Sequence, residues 1–210
     1  IILISIILSL KAFYIIYCVL FFLIFFYVKE KKEFLFFLLN NKITYFFFSL
    51  VLVVLFTNFL NTGCIIYPAK ILCYESFQWA IPLKEVDIMN NWYHLWSKAG
   101  ANPNFRIENP DYYIQGFNWV ENWFKMYFFN KVSDFLLGIT LVILIFLVVF
   151  FRKKVETNKK KFLLFYLILL LLFVEWFYFH PALRYGGYSL TALLVFIPLS
   201  LFLEKYSGDK

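Results

Sequence analysis

Charge is scarce in this sequence. Of its 210 residues only 16% are charged while 63% are hydrophobic, and a soluble domain of that length would have nowhere to bury so much apolar surface. Cysteine is scarce too. Cys18, Cys64 and Cys73 are too few and too scattered for a disulfide framework or a zinc site. Cys18 lies in an apolar run and reads as a small hydrophobe. Cys64 and Cys73 stand close enough to bridge if they face an oxidising compartment, and otherwise remain thiols. Several chemistry-bearing patterns are missing altogether. There is no Gly-rich phosphate loop, no His-Glu-x-x-His and no nucleophile elbow, which sets aside the common nucleotide-binding and soluble-hydrolase classes. No cofactor, metal or nucleic-acid partner is expected, and no catalytic residue is assigned. An initiator Met and a basic n-region are also absent, so residues 1–10 do not read as an intact signal peptide. With an ordinary polar tail at 204–210, the chain reads as the C-terminal part of a longer protein.

What is present is a series of apolar runs that reach or approach the roughly 20 residues needed to cross a ~30 Å hydrocarbon core. They predict an all-α integral membrane protein with about five transmembrane helices. Residues 1–28 are too long for one straight span, so one helix should end near Ser9 and another run over 11–28, with Lys11 snorkelling to the outer surface. Residues 34–39 are too few to cross and should lie along the interface. Further spans are expected at 43–60, 132–151, 162–179 and 188–203, the last kinked by Pro198.

Orientation follows from basic residues in short loops. Residues 152–161 hold six of them against the single Glu156, which places that loop in the cytoplasm. Alternation brings the lysine-rich stretch 29–42 to the same side. Residues 61–131, whose six basic and six acidic residues cancel, are left outside, as is 180–187. The chain thus divides into transmembrane helices over 1–60, an extracytoplasmic segment over 61–131, transmembrane helices over 132–203, and a cytoplasmic tail at 204–210.

The outer segment should fold as membrane-hugging helices. Val86, Met89, Tyr93 and Trp96 recur at helical spacing over 85–97. A second helix should start after Asn109-Pro110, an N-cap with Pro at the first helical position. Phe117, Val120, Trp123 or Phe124, and Tyr127 then continue a stripe expected to face lipid. Five of the six Trp fall here (Trp79, Trp92, Trp96, Trp119 and Trp123), and tryptophan favours the headgroup layer.

Polar residues at membrane depth are the candidates for function. Glu175, His180 and Arg184, with Tyr185, cluster around Pro181, which should end one helix just outside the membrane and let the three polar side chains converge. An Arg with a His and flanking tyrosines can bind a lipid phosphate through charge-assisted bonds, and Gly186-Gly187 permit close backbone approach. The competing assignment is a plain Glu175–Arg184 ion pair beside an aromatic belt. His94, alone on a surface helix, reads as decoration. Asp134, near the outer start of its span, reads as solvated.

The run Asn58-Phe59-Leu60-Asn61-Thr62-Gly63-Cys64-Ile65-Ile66-Tyr67-Pro68 resembles the pattern with which many bacterial multi-span glycosyltransferases of the GT-C superfamily leave a helix on the outer face. Trp79-Ala80-Ile81-Pro82 and His180-Pro181-Ala182-Leu183-Arg184-Tyr185-Gly186-Gly187-Tyr188 extend the resemblance to a group of polytopic proteins related to that superfamily. It implies residence in the bacterial cytoplasmic membrane and a part in envelope polysaccharide or glycolipid synthesis, with a polyprenyl-phosphate-linked sugar as partner beside the bilayer itself. Two positions depart from the pattern: Thr57 stands where an Arg often precedes the Asn, and Cys64-Ile65 where Asn-Pro often follows the Gly. The acidic base of GT-C enzymes lies in their first outer loop, which on this resemblance falls upstream of Ile1. A transporter or flippase, or a non-catalytic assembly subunit, is the alternative.

Overall fold

A computed structural model describes residues 12–101, 107–150 and 163–207. The connection near Ser9, Lys11 and the basic loop 152–161 lie outside the described residues, as do 208–210. All regular structure among the described residues is helical, so the all-α expectation holds. Two compact units divide between Trp92 and Tyr93, and the division falls inside the helix Leu83–Lys98.

The first unit opens with a 3-10 segment, Ala12–Cys18, that passes into α1, Val19–Tyr27. Lys31 begins α2, Lys31–Asn40, and its ammonium lies about 6 Å from the rings of Phe25 and Phe26. Leu35, Phe36, Phe37 and Leu39 are exposed along this short helix. Asn41 separates it from α3, Lys42–Thr62, and caps α3 by accepting a bond from the Ile43 N–H at 2.9 Å.

The end of α3 explains the first motif of the sequence. Gly63 takes φ +77° and its N–H closes on the Phe59 carbonyl at 2.8 Å, a left-handed cap that glycine reaches without Cβ strain. A Cβ on Gly63 would also lie 2.5 Å from the Cβ of Ala80. The Asn58 amide donates to the Ile65 carbonyl at 3.1 Å, and the Thr62 hydroxyl both donates to the Asn58 carbonyl at 2.7 Å and accepts from the Cys64 N–H at 3.1 Å. Asn, Thr and Gly are therefore the parts of a helix stop. Cys64 and Cys73 are joined by a disulfide, closing a loop that holds the cis Tyr67-Pro68 bond.

α4 runs Leu83–Lys98. Of the stripe expected there, Val86 and Trp96 are buried but Met89 is exposed. α5 is a single turn, Pro110–Ile114, and starts as the sequence predicts: the Asn109 side chain accepts from the Tyr112 N–H, with Pro110 first in the helix.

α6 extends without interruption over Val120–Phe150, passing through a π-helical stretch, Phe124–Val132, on its way to the apolar part. The stripe on its first turns divides. Trp123 and Tyr127 are buried and, with Trp119, form a core with Trp96, Val132, Ala182 and Tyr185, while Phe117 and Phe124 are exposed. Aromatic rings satisfy a lipid interface and a protein interior equally well, so the hydrophobic stripe alone does not name its neighbour.

α7, Leu163–Phe179, and α8, Leu183–Ser207, are joined by an elbow at His180-Pro181-Ala182. α8 carries a break at Gly186, where φ is 172°, and holds Pro198 in its interior. Lys42–Thr62 and Val120–Phe150 are long and apolar enough to cross a membrane, and Leu163–Phe179 is a shorter apolar helix. Only 6% of the positions in the apolar stretch of each long helix are buried, the reverse of what the core helix of a soluble protein shows.

Candidate site at the elbow between α7 and α8

The elbow is built by ring groups that take up its backbone bonds. Pro181 cannot continue α7, so the polar atoms around it need other partners. The Trp123 indole donates to the Pro181 carbonyl at 2.9 Å, the Trp176 indole donates to the Ala182 carbonyl at 2.9 Å, and the Leu183 N–H donates to the Tyr127 hydroxyl at 2.9 Å. Three aromatic side chains from α6 and α7 thereby fix the path of the chain just ahead of Arg184.

Arg184 is exposed, and its guanidinium lies 5.0 Å from the ring centroid of Trp96 and 5.5 Å from that of Tyr185. Tyr185 is buried and meets Trp96 edge-on at 5.7 Å. Such a contact suits a guanidinium, whose planar N–H fork matches a planar anion. The ring of His180 lies 5.5 Å from that of Tyr185 and stacks at 4.4 Å on His94, whose Nδ1 bonds the Phe179 carbonyl at 2.9 Å.

One turn beyond His94 on α4, Lys98 is only 4% exposed. Its ammonium donates to the Ile114 carbonyl at 3.0 Å and lies between the rings of Trp119 and Tyr178, at 5.4 and 5.2 Å. The Lys98 carbonyl in turn accepts from the Tyr113 hydroxyl, which accepts from the Asn122 amide.

Burial decides the charges. The imidazole of His180 is held down to about 3, first by burial and then by repulsion from His94 and Lys98. His94 is also lowered by burial, against the opposing pull of its bond to Phe179, and burial lowers Lys98. His180 is therefore neutral at physiological pH. It offers a hydrogen bond and a packing surface rather than a positive charge.

Of the four residues picked from sequence, His180, Arg184 and Tyr185 are brought together. Glu175 is half-buried on α7, and no ion pair or hydrogen bond among the described residues joins it to Arg184 or His180. The simple Glu175–Arg184 pair does not form. His94, Lys98 and Trp96 were missed as members of the cluster, although His94 and Lys98 stand four apart on one helix face, a spacing that makes neighbours of them. The chain matches, over residues 1–191, a family described as Domain of unknown function (DUF8201). It belongs to that family. Neither curated proteins nor solved structures yield a match. The whole elbow of this DUF8201 member, from Glu175 through Tyr185, lies inside the matched span.

Proposed function

We propose that the chain is a multi-pass protein of the bacterial cytoplasmic membrane, similar in kind to GT-C glycosyltransferases, whose elbow binds the anionic group of a lipid-linked sugar at the outer face. The observation that carries this reading is Arg184, an exposed guanidinium held beside the rings of Trp96 and Tyr185, 5.0 and 5.5 Å from their centroids, at the point where the apolar helix α7 has just ended. A lipid phosphate sits at that level of a bilayer, and a charge-assisted contact there is about twice as strong as a neutral one. His180 and Tyr185 shape the wall beside it. A transport pathway would instead gather its charges near the bilayer midplane.

The topology that goes with this has five crossings: 12–27, α3, the apolar part of α6, α7 and α8. Basic residues at 29–42 and 152–161 assign those loops to the cytoplasm. The Cys64–Cys73 disulfide supports the same orientation from independent chemistry, since a bridge persists on the oxidising side of the membrane.

The test is made in the cell, with the full-length protein replaced by Arg184→Lys and Arg184→Ala variants and its lipid-linked and surface glycans profiled by mass spectrometry. The expected outcome is normal abundance in the membrane with the glycan product reduced in Arg184→Lys and nearly lost in Arg184→Ala. Wild-type product from Arg184→Ala would place the site elsewhere.

A further inference from the structure

The ten residues from Cys64 to Cys73 leave α3 and turn back along it. Part of their backbone pairs within the strap or at its base: Ile65 N–H donates to the Leu72 carbonyl, Tyr74 N–H to the Gly63 carbonyl, and Ala69 and Leu72 N–H to the Ile66 and Ala69 carbonyls, all between 2.8 and 3.0 Å. A strap with its own hydrogen bonds is one that can enter a low-dielectric layer, where an unmet backbone group is costly. Its tip is Ile71, 91% exposed. Just beyond the disulfide the rings of Tyr74, Phe77 and Trp79 gather on Phe59 with centroids 5.5 to 6.1 Å away.

The location of Phe59 settles the depth of this cluster. It lies within the last turn of α3, roughly 5 Å from the Thr62 end at about 1.5 Å of rise per residue. The three rings therefore flank the end of an apolar helix rather than stand above it. Tyr74 and Phe77, together with Ile65, head a groove of about 520 Å³ that continues down α3 along Phe56, Leu55 and Leu52, the last roughly 15 Å from Thr62 by the same rise. Lining of that kind offers no polar partner except the Tyr74 hydroxyl. Lys70, beside Ile71, is ion-paired with Asp87, so the cation at the tip is directed to α4 and leaves the apolar side of the strap to its surroundings.

From these placements we infer that the disulfide-closed strap 64–73, with Tyr74, Phe77 and Trp79, is a lipid-contacting wedge that seats in the outer headgroup and upper acyl layer beside α3, and that the Cys64–Cys73 bond holds it there. The occupant of the groove is phospholipid acyl chain. This rests on the reading that α3 crosses the membrane: if the helix is surrounded by lipid, side chains packed on its flank are at lipid depth as well. Aromatic residues and an isolated exposed aliphatic tip are the composition such a layer favours.

The experiment uses the full-length chain carrying p-benzoylphenylalanine singly at Phe56, Ile71 or Phe77, reconstituted into phosphatidylcholine–phosphatidylglycerol vesicles, irradiated, and examined for adducts by mass spectrometry. Phospholipid adducts are expected at all three positions. Cys64→Ser with Cys73→Ser should lower the yield at Ile71 several-fold while Phe56 keeps its own, and the same comparison before and after a reductant on reconstituted protein covers the case where the double variant fails to assemble. Lipid at Phe56 with none at Ile71 and Phe77, or adducts at Ile71 to a second protein chain, would overturn the wedge. An Ile71 yield indifferent to the disulfide would overturn the part given to that bond. Absence of lipid adducts at Phe56 as well would overturn the crossing of α3 and the wedge together.

Discussion

His94 of α4 and His180 of the α7–α8 elbow stack ring on ring, 4.4 Å between centroids and 23° between planes. Two imidazoles in such contact stack comfortably only while at least one is neutral, because like charges at that distance repel strongly in a partly buried site. The burial that lowers both, His180 to about 3, makes this pair a sensor of folding stability.

The first prediction concerns acid. Each histidine binds its proton less readily folded than unfolded, so the unfolded chain takes up more protons once pH falls through its ordinary value of about 6.5. Stability contributed by keeping the pair neutral is therefore fully present above pH 6.5 and lost progressively as pH falls from there towards 3. The slope reaches at most about 1.4 kcal/mol per pH unit for each histidine. Thermal unfolding in detergent at pH 8, 6.5, 5.5 and 4.5 should show it, and His180→Gln should flatten the curve. Equal slopes for the variant and the wild type would remove the pair from this role.

A second prediction separates the cation of Lys98 from its bulk. Lys98→Ala leaves the Ile114 carbonyl without its donor and opens space between Trp119 and Tyr178, which should cost about 2 kcal/mol. Lys98→Met keeps the bulk and removes the expense of burying a charge, so it should cost less than Lys98→Ala. Unfolding midpoints of the two variants decide the order.

Glycine 63 gives the third. Ala at this position is strained by φ +77° and collides with Ala80, whereas Gly116, at φ +52°, has open space around the place of a Cβ. Gly116→Ala should cost about 1 kcal/mol from the backbone alone. Gly63→Ala should cost clearly more, and equal melting temperatures would mean that the chain beyond α3 yields freely.

The helices themselves were legible in the sequence because an apolar run of the right length has few other uses, and Asn109-Pro110 announced the start of α5 because side-chain acceptor and missing N–H are local requirements. Direction was not legible. Trp123 and Tyr127 recur at helical spacing whether lipid or protein lies opposite, and their partners, Pro181 and Leu183, come more than fifty residues later. The same distance hid His94, whose partner His180 is nowhere near it in the chain. Arg184 and Tyr185 were found because charge beside a Pro-terminated apolar helix is unusual in itself. Glu175 was included by proximity in sequence, and proximity on a helix does not aim a carboxylate.

A fourth prediction fixes orientation. In a Cys18→Ser background, cysteine introduced at Lys84 should react in intact cells with an impermeant maleimide, while cysteine at Lys159 should react only after the membrane is opened. The reverse pattern would invert the topology and move the Arg184 elbow to the cytoplasmic face.

Binding of a polyprenyl monophosphate to the purified full-length protein in nanodiscs, measured by native mass spectrometry against the uncharged polyprenol, tests the role of Arg184 most directly. Wild-type protein should retain the phosphate and not the alcohol. Arg184→Ala should weaken retention roughly tenfold or more, as loss of a charge-assisted bond of about 1.5–3 kcal/mol requires, and Arg184→Lys should fall between, because an ammonium keeps the charge without the planar two-pronged contact. Retention of the phosphate by Arg184→Ala at the wild-type level, in protein that melts normally, would contradict the account.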